Sequence, residues 1–302
     1  MAHANHHHAE NNDNKILRLF DPVFTKKFFT ERILPIYPDF DAVKKVEIRP
    51  IKKFVWRTTY HVVIEYDAIF KTKGNGSKIL PIFCTAHSNE QRKNVYDVLR
   101  YLWDNGFSHG YLTIPHPLIY SNYYKAVFYR GVRGSHLLHF IKLHDLATVE
   151  KVVMETAAWL AKLHALPTRN MKNFNQKSNR IETAIPGRKK ITEEIGHRHS
   201  GFLGVVNAVY NALDEKEKNF LSSTGKRWLV HGDAHPENVI IVGRKKIAMI
   251  DFTDFCLSDF ARDLGSFMQQ LDYMCSKNIP GENFTQRIKK IFWIIISNVP
   301  AW

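Results

Sequence analysis

Between Trp228 and Gly265 the chain reads WLVHGDAHPENVIIVGRKKIAMIDFTDFCLSDFARDLG, and no other stretch limits the possible folds as much. Two short apolar runs, Val239–Val242 and Ile247–Ile250, flank a turn at Gly243–Lys245, which is the pattern of a β-hairpin. A hairpin returns the chain to its starting point. Asn238, which enters it, and Asp251, which leaves it, are therefore expected side by side at one rim, with Asp233 facing them from a loop. Two carboxylates and an amide form a hard oxygen set suited to Mg²⁺. Phosphoryl transfer uses the same parts: an acid to orient the attacking hydroxyl, and an Asn and an Asp to hold the metal.

The full pattern is H-G-D-x-x-x-x-N from His231 to Asn238, then Ile250-Asp251-Phe252, then Asp259-Phe260-Ala261-Arg262-Asp263-Leu264. With both halves correctly spaced around a hairpin, the chain resembles the aminoglycoside phosphotransferase and choline kinase family. The resemblance implies an α+β, protein-kinase-like two-lobed fold, with a small antiparallel-sheet N-lobe and a mainly helical C-lobe. It implies ATP and Mg²⁺ as cofactors, Asp233 as catalytic base and His231 as the residue that orients its loop. Asn238 and Asp251 would be the metal ligands, and Asp263 a structural carboxylate bracing the catalytic loop.

A transition-metal reading of His231, Asp233 and His235 competes with this one. Residues two apart project together only on a strand, however, and Gly232 and Pro236 mark this segment as a loop. No cysteine or further histidine follows at a ligand-like spacing. His235 is then a hydrogen-bonded neighbour.

At 302 residues the chain can bury a sizeable core as one large domain or two lobes, and 44% hydrophobic content is that of a globular protein. Cys84, Cys256 and Cys275 are odd in number and far apart, so they make no disulfide framework; a reducing, cytoplasmic setting is expected. No apolar run reaches membrane-spanning length. The opening MAHANHHHAENNDNK has no apolar core, so a secretory signal is not expected in it; residues 1–14 read as a disordered tail that includes the His6–His8 cluster. The formal net charge of +14 favours anionic partners. Lys and Arg nowhere interleave with aromatics as a nucleic-acid platform would, so nucleic acid is not the expected partner. The same charge would repel a polycationic aminoglycoside at long range.

Residues 15–130 read as the nucleotide-binding N-lobe. Short helices over residues 15–37 precede four expected strands, Val46–Ile51, Phe54–Thr59, His61–Phe70 and Lys78–Thr85, with Asn75–Gly76 as the turn before the last. Pro81 implies an edge position or a strand start. Ser88 and Gln91 form a capping box for a helix that Gly106 ends. Leu118–Ser121 and Lys125–Tyr129 complete the strands. The resemblance places the adenine against main-chain groups at Phe128, Tyr129, Arg130 and Val132. It would also place a lysine on the strand before the helix, where this chain has Thr85, and a glycine-rich loop where it has Arg57-Thr58-Thr59-Tyr60. With the lysine and the loop missing, the alternative reading is a pseudokinase, a nucleotide-binding or scaffold module.

Residues 131–302 read as the C-lobe, carrying the catalytic loop, the metal site and the acceptor pocket. Val149–Ala165 has one apolar stripe, residues 169–200 form a polar, basic loop, and Phe202–Leu213, Glu215–Ser222 and Leu264–Met274 are helical. Asp263 follows Asp251 by only twelve positions, with no Ala-Pro-Glu signature, which leaves no room for the activation segment of a protein kinase. The expected partners are therefore ATP and a small hydroxyl-bearing acceptor.

Overall fold

The structure, a computed structural model, describes residues 14–74, 76–169, 171–172, 174–175, 180–183, 187–243, 246–281 and 283–298. The tail over residues 1–13 with its His6–His8 cluster, Asn75 of one expected turn, and Arg244 and Lys245 of the other lie outside the described residues.

In chain order come α1 (Pro22–Arg32), β1 (Phe40–Val55), β2 (Tyr60–Thr72), β3 (Ser77–His87), α2 (Lys93–Leu102), β4 (Leu112–Thr113), β5 (His116–Ser121) and β6 (Ala126–Arg130). Then follow β7 (Ser135–His136), α3 (Leu137–Lys142), α4 (Leu146–His164), α5 (Arg188–Arg198), α6 (Leu203–Thr224) and β8 (Trp228–Val230). The last elements are β9 (Val239–Val242), β10 (Lys246–Met249), β11 (Cys256–Ser258), α7 (Ala261–Asn278) and α8 (Asn283–Ser297). The chain divides into two compact units, Met1–Tyr96 with His116–Gly131, and Asp97–Pro115 with Val132–Trp302.

The first unit is a five-stranded antiparallel sheet in the order β1-β2-β3-β6-β5. Along β2 burial alternates from Tyr60 to Phe70, so one face is apolar and must be covered. α1 and the 3₁₀ turn at Lys15–Phe20 cover it. Asp21 caps α1 by accepting Val23 N–H and Phe24 N–H at 2.8 and 3.2 Å, and Pro22 sets the first helical turn. The fully buried Phe29 meets the Tyr66 ring edge-on at 5.0 Å, and the Tyr66 hydroxyl donates to Leu19 O at 3.0 Å.

Several local expectations are corrected here. The runs Val46–Ile51 and Phe54–Thr59 are not two strands. Val46–Ile51 and the first two residues of the second run, Phe54 and Val55, belong to one long strand, β1, and the rest of that run, Trp56 to Thr59, is the turn into β2, where Trp56 N–H donates to Thr59 O at 2.8 Å. β1 is an edge strand, and a register shift between Pro50 and Lys52 accommodates Pro50. Ser88 does not cap a helix. Its hydroxyl accepts Tyr60 N–H at 3.1 Å and closes the β2–β3 pair, and α2 begins five residues later. Pro81 lies in the third strand of the order, yet at the last rung toward β6, where its carbonyl accepts Gly131 N–H at 2.9 Å and no donor is missed. Gly106, with φ of +95°, does end the helical region after α2, through a π-type turn at Trp103–Phe107.

In the second unit the expected hairpin is the centre of a four-stranded sheet, β4-β10-β9-β7, while β8 and β11 form a separate antiparallel pair. α4 lies against this framework. Its fully buried Trp159 donates from Nε1 to Thr113 O at 3.1 Å. α3, α7 and α8 pack with it. The polar stretch read as a loop contains α5, and the two helices expected over 202–222 are one, α6, with no Gly or Pro at Asp214 to interrupt it. All three cysteines are free and buried. No helix among the described residues is long and apolar enough to cross a membrane.

Candidate active site

Two short ladders hold the motif. β8 leads into the loop from His231 to Asn238, and its antiparallel partner β11 receives the chain after Asp251, so both loops emerge from one paired frame. The β9–β10 hairpin closes the other side, where Ile250 N–H donates to Asn238 O at 3.0 Å and sets Asp251 beside the loop. The sequence-predicted residues Asp233, Asn238, Asp251, His231 and Asp263 are thus gathered within one unit.

Asp263 stands in the first turn of α7 and is fully buried. Its carboxylate accepts His231 N–H at 2.7 Å, Gly232 N–H at 2.8 Å and the His164 Nε2 contact at 2.9 Å. Burial by itself raises the Asp263 pKa. The hydrogen bond and charge of His164, the charge of His231 and the Gly232 N–H outweigh it and hold the group below the usual carboxylate range. His164 is therefore the buried partner of Asp263, a role invisible in the sequence because the two lie 99 residues apart.

His231 spends both ring nitrogens on the loop. Nε2 lies 2.9 Å from Ile250 O and so carries the proton, and Nδ1 accepts Asp233 N–H at 3.4 Å. Neither nitrogen is left for a metal. Among the described residues no three of His, Cys, Asp and Glu converge as a metal-holding group. Gly232 has φ of +84°, and a Cβ there would stand 2.2 Å from Asp254 O. Gly232→Ala should therefore cost more than ~1 kcal/mol and lower the unfolding midpoint, and an unchanged midpoint would contradict the close approach.

Asp233 is half-buried. Asn238 Nδ2 donates to its main-chain O at 2.9 Å and to Oδ2 at 3.3 Å, and His235 Nε2 lies 3.5 Å from the same Oδ2. The hydrogen bond from His235 comes first in holding the Asp233 carboxyl below its ordinary pKa; burial opposes it, and the charges of His235 and His231 add to it. The same contact raises His235. His235 is thus more than a neighbour. Its Nδ1 accepts Glu237 N–H at 3.3 Å, which fixes Nε2 as the donor toward Asp233. Arg262, also overlooked in the sequence, donates from Nη2 to Gly232 O at 3.0 Å.

The oxygens left over fit a hard cation. Asn238 commits its NH₂ to Asp233 O, which can only accept, so Oδ1 is turned the other way and takes no described hydrogen bond. Asp251 sits in the left-handed region at φ of +62°, a conformation Asp tolerates better than most residues. Its Oδ1 accepts Thr253 Oγ1 at 2.7 Å and Thr253 N–H at 3.3 Å, and Oδ2 remains.

Of the expected nucleotide contacts, Phe128, Tyr129, Arg130 and Thr85 belong to the first unit and Val132 to the second. Phe128, Tyr129 and Arg130 lie on β6, whose backbone is laddered to β3 on one side and β5 on the other. The Phe128 side chain is fully buried in the core of the first unit. Val132 follows the last rung. Thr85 is half-buried on β3, opposite Val63 and Val127.

The pattern that defines the phosphotransferase enzyme family (APH) matches residues 63–282. The chain belongs to this family and has its protein-kinase-like α+β fold. Similar solved structures include the streptomycin–ATP–APH(2")-IIa ternary complex, at 16% identity over 90% of this chain and 84% of that one, with a TM-score of 0.49. Others are a Plasmodium vivax ethanolamine kinase (12%, 83% and 72%, TM-score 0.46) and the choline kinase LicA from Streptococcus pneumoniae (13%, 90% and 89%, TM-score 0.46). No curated protein matches the chain.

Proposed function

We propose that the protein transfers the γ-phosphoryl group of ATP to a hydroxyl of a small molecule. The observation that carries this reading is the Asp233–Asn238–Asp251 rim, with its spare hard oxygens beside a half-buried carboxylate. Asp233 receives the acceptor hydroxyl and orients it for in-line attack, with His235 holding the carboxylate in place. His231, Asp263 and Arg262 keep the loop rigid so that this orientation costs nothing at the moment of reaction. Asn238 Oδ1 and Asp251 would hold Mg²⁺, which when bound neutralises phosphate charge.

Asp251→Asn tests the metal assignment. It should weaken ATP binding about tenfold or more in Mg²⁺ and leave binding in EDTA unchanged, as read by calorimetry. Equal affinities in Mg²⁺ for both proteins would remove Asp251 from that role. One observation favours the scaffold alternative: β3 carries no lysine after Lys78, and Thr85 stands where the family resemblance would place one.

A further inference from the structure

Asp251 lies between β10 and β11, outside the ladders of both, so side chains rather than a sheet set its geometry. The residue is exposed, and its φ of +62° is a conformation that persists only where the surroundings hold it. One residue on, Phe252 turns inward; it is almost fully buried, with its ring 4.9 Å from the His231 ring. Two residues on, Thr253 bonds back. Its hydroxyl and its N–H both donate to Asp251 Oδ1, at 2.7 and 3.3 Å. Two donors on one oxygen of an exposed carboxylate fix its rotation and set the direction of the other oxygen, Oδ2.

Thr253 is held in turn from 78 residues away, where Asn175 Nδ2 donates to Thr253 O at 3.2 Å. Next to Asn175, the Phe174 ring meets the Phe255 ring edge-on at 5.6 Å and the Tyr101 ring at 6.1 Å. Phe174 and Asn175, both half-buried, thus grip the Asp251 loop at two points. The chain on either side is tied as well. Thr168 Oγ1 donates to Arg227 O at 2.7 Å, and Ile181 N–H is shared between the Glu217 carboxylate oxygens at 3.1 and 3.3 Å. All of these residues belong to the second unit.

We propose that Thr253 and Asn175 are positioning residues for the cation: Thr253 aims Asp251 Oδ2, and Asn175 keeps Thr253 where it can do so. The inference rests on the metal role proposed for Asp251. A carboxylate free to rotate presents its oxygen for only a fraction of the time, and apparent affinity falls by that fraction. The Thr253 hydroxyl removes this loss before the cation arrives. Its bond to Oδ1 also leaves a single oxygen of Asp251 as the ligand.

The test is a titration of the full chain with Mn²⁺, a hard cation that shares the oxygen preference of Mg²⁺ and whose bound fraction is read by water-proton relaxation. Asp251→Asn identifies the part of the binding that belongs to the rim. Thr253→Val should weaken that part about tenfold, and Thr253→Ser, which keeps the hydroxyl, should bind as the wild type does. Asn175→Ala should weaken it several-fold. Wild-type affinity in Thr253→Val, or a Thr253→Ser protein as weak as Thr253→Val, overturns the proposal. So does a wild type whose Mn²⁺ binding is unchanged by Asp251→Asn. A lower unfolding midpoint with intact Mn²⁺ affinity in Asn175→Ala makes Asn175 a residue of the fold alone and overturns its part. Mn²⁺ binding requires neither ATP nor an acceptor. The expected pattern in a protein that phosphorylates no acceptor keeps this inference and loses the phosphotransfer reading. Phosphotransfer with wild-type Mn²⁺ affinity in Thr253→Val does the reverse.

Discussion

Asp233→Asn should lower turnover by roughly 10²–10⁴-fold, the range that a positioned acid or base contributes, while MgATP affinity changes little. Asn keeps the shape of the side chain and its contact with Asn238, so the loop should stay in place, but it presents an NH₂ where the acceptor hydroxyl needs an oxygen. His235, Asn238 and the nearby charge of His231 hold the Asp233 pKa below the ordinary carboxylate range. The group is ionised throughout the neutral range, and its own titration should leave no step in the rate between pH 5 and 8. A base with so low a pKa is a weak proton acceptor. Asp233 therefore acts chiefly by fixing the direction of the hydroxyl, and the proton leaves late, as phosphoryl transfer through a loose transition state permits. Steady-state rates and calorimetry on the same protein separate the two effects. A variant that lost ATP binding in proportion to turnover would instead make Asp233 a structural residue.

Asp263→Ala should be the most destabilising single change at the site, by about 3–5 kcal/mol. The carboxylate is fully buried and answers three groups at once, the amides of His231 and Gly232 and the ring of His164. Removing it strands those donors in the interior. Against a total stability of about 5–15 kcal/mol for a typical domain, the second unit would be close to unfolding at body temperature. Asp263→Asn retains an acceptor oxygen and should lose less. The pH dependence follows from the sign of the shift. Asp263 is depressed in the folded state, so its contribution is complete above the unfolded value of about 3.9 and fades as pH falls from there through the lower folded value. Urea midpoints measured from pH 6 down to pH 3 should show the wild type losing stability on this limb and Asp263→Asn losing less. Parallel curves would mean that the carboxylate is not charged in the fold.

The sequence made the hairpin and its polar ends legible because both are local. Period, turn residues and motif spacing all lie within Trp228–Gly265, and the structure keeps them together. What it hid depends on distant partners. Nothing near His164 indicates that its ring will meet Asp263, and nothing near Arg262 indicates that it will hold Gly232 O. The strands β4 and β7 that flank the hairpin are only two residues each, too short to leave a pattern. The misplaced helix start at Ser88 has the same origin: a residue type that favours a cap was taken by Tyr60 across the sheet. The expected break in β1 fell at Lys52 and Lys53, between two apolar runs, and an edge strand accommodates such charged residues without ending.

The central claim is phosphoryl transfer at the Asp233 rim, and ³¹P NMR of the protein with MgATP and a panel of alcohols, amino alcohols and sugars tests it most directly. The account predicts that at least one acceptor yields a phosphomonoester signal and an equal amount of ADP, and that Asp233→Asn slows the appearance of both by at least about a hundredfold. MgATP that remains intact with every acceptor, in a protein shown to bind it, would contradict the account and make the chain a nucleotide-holding scaffold.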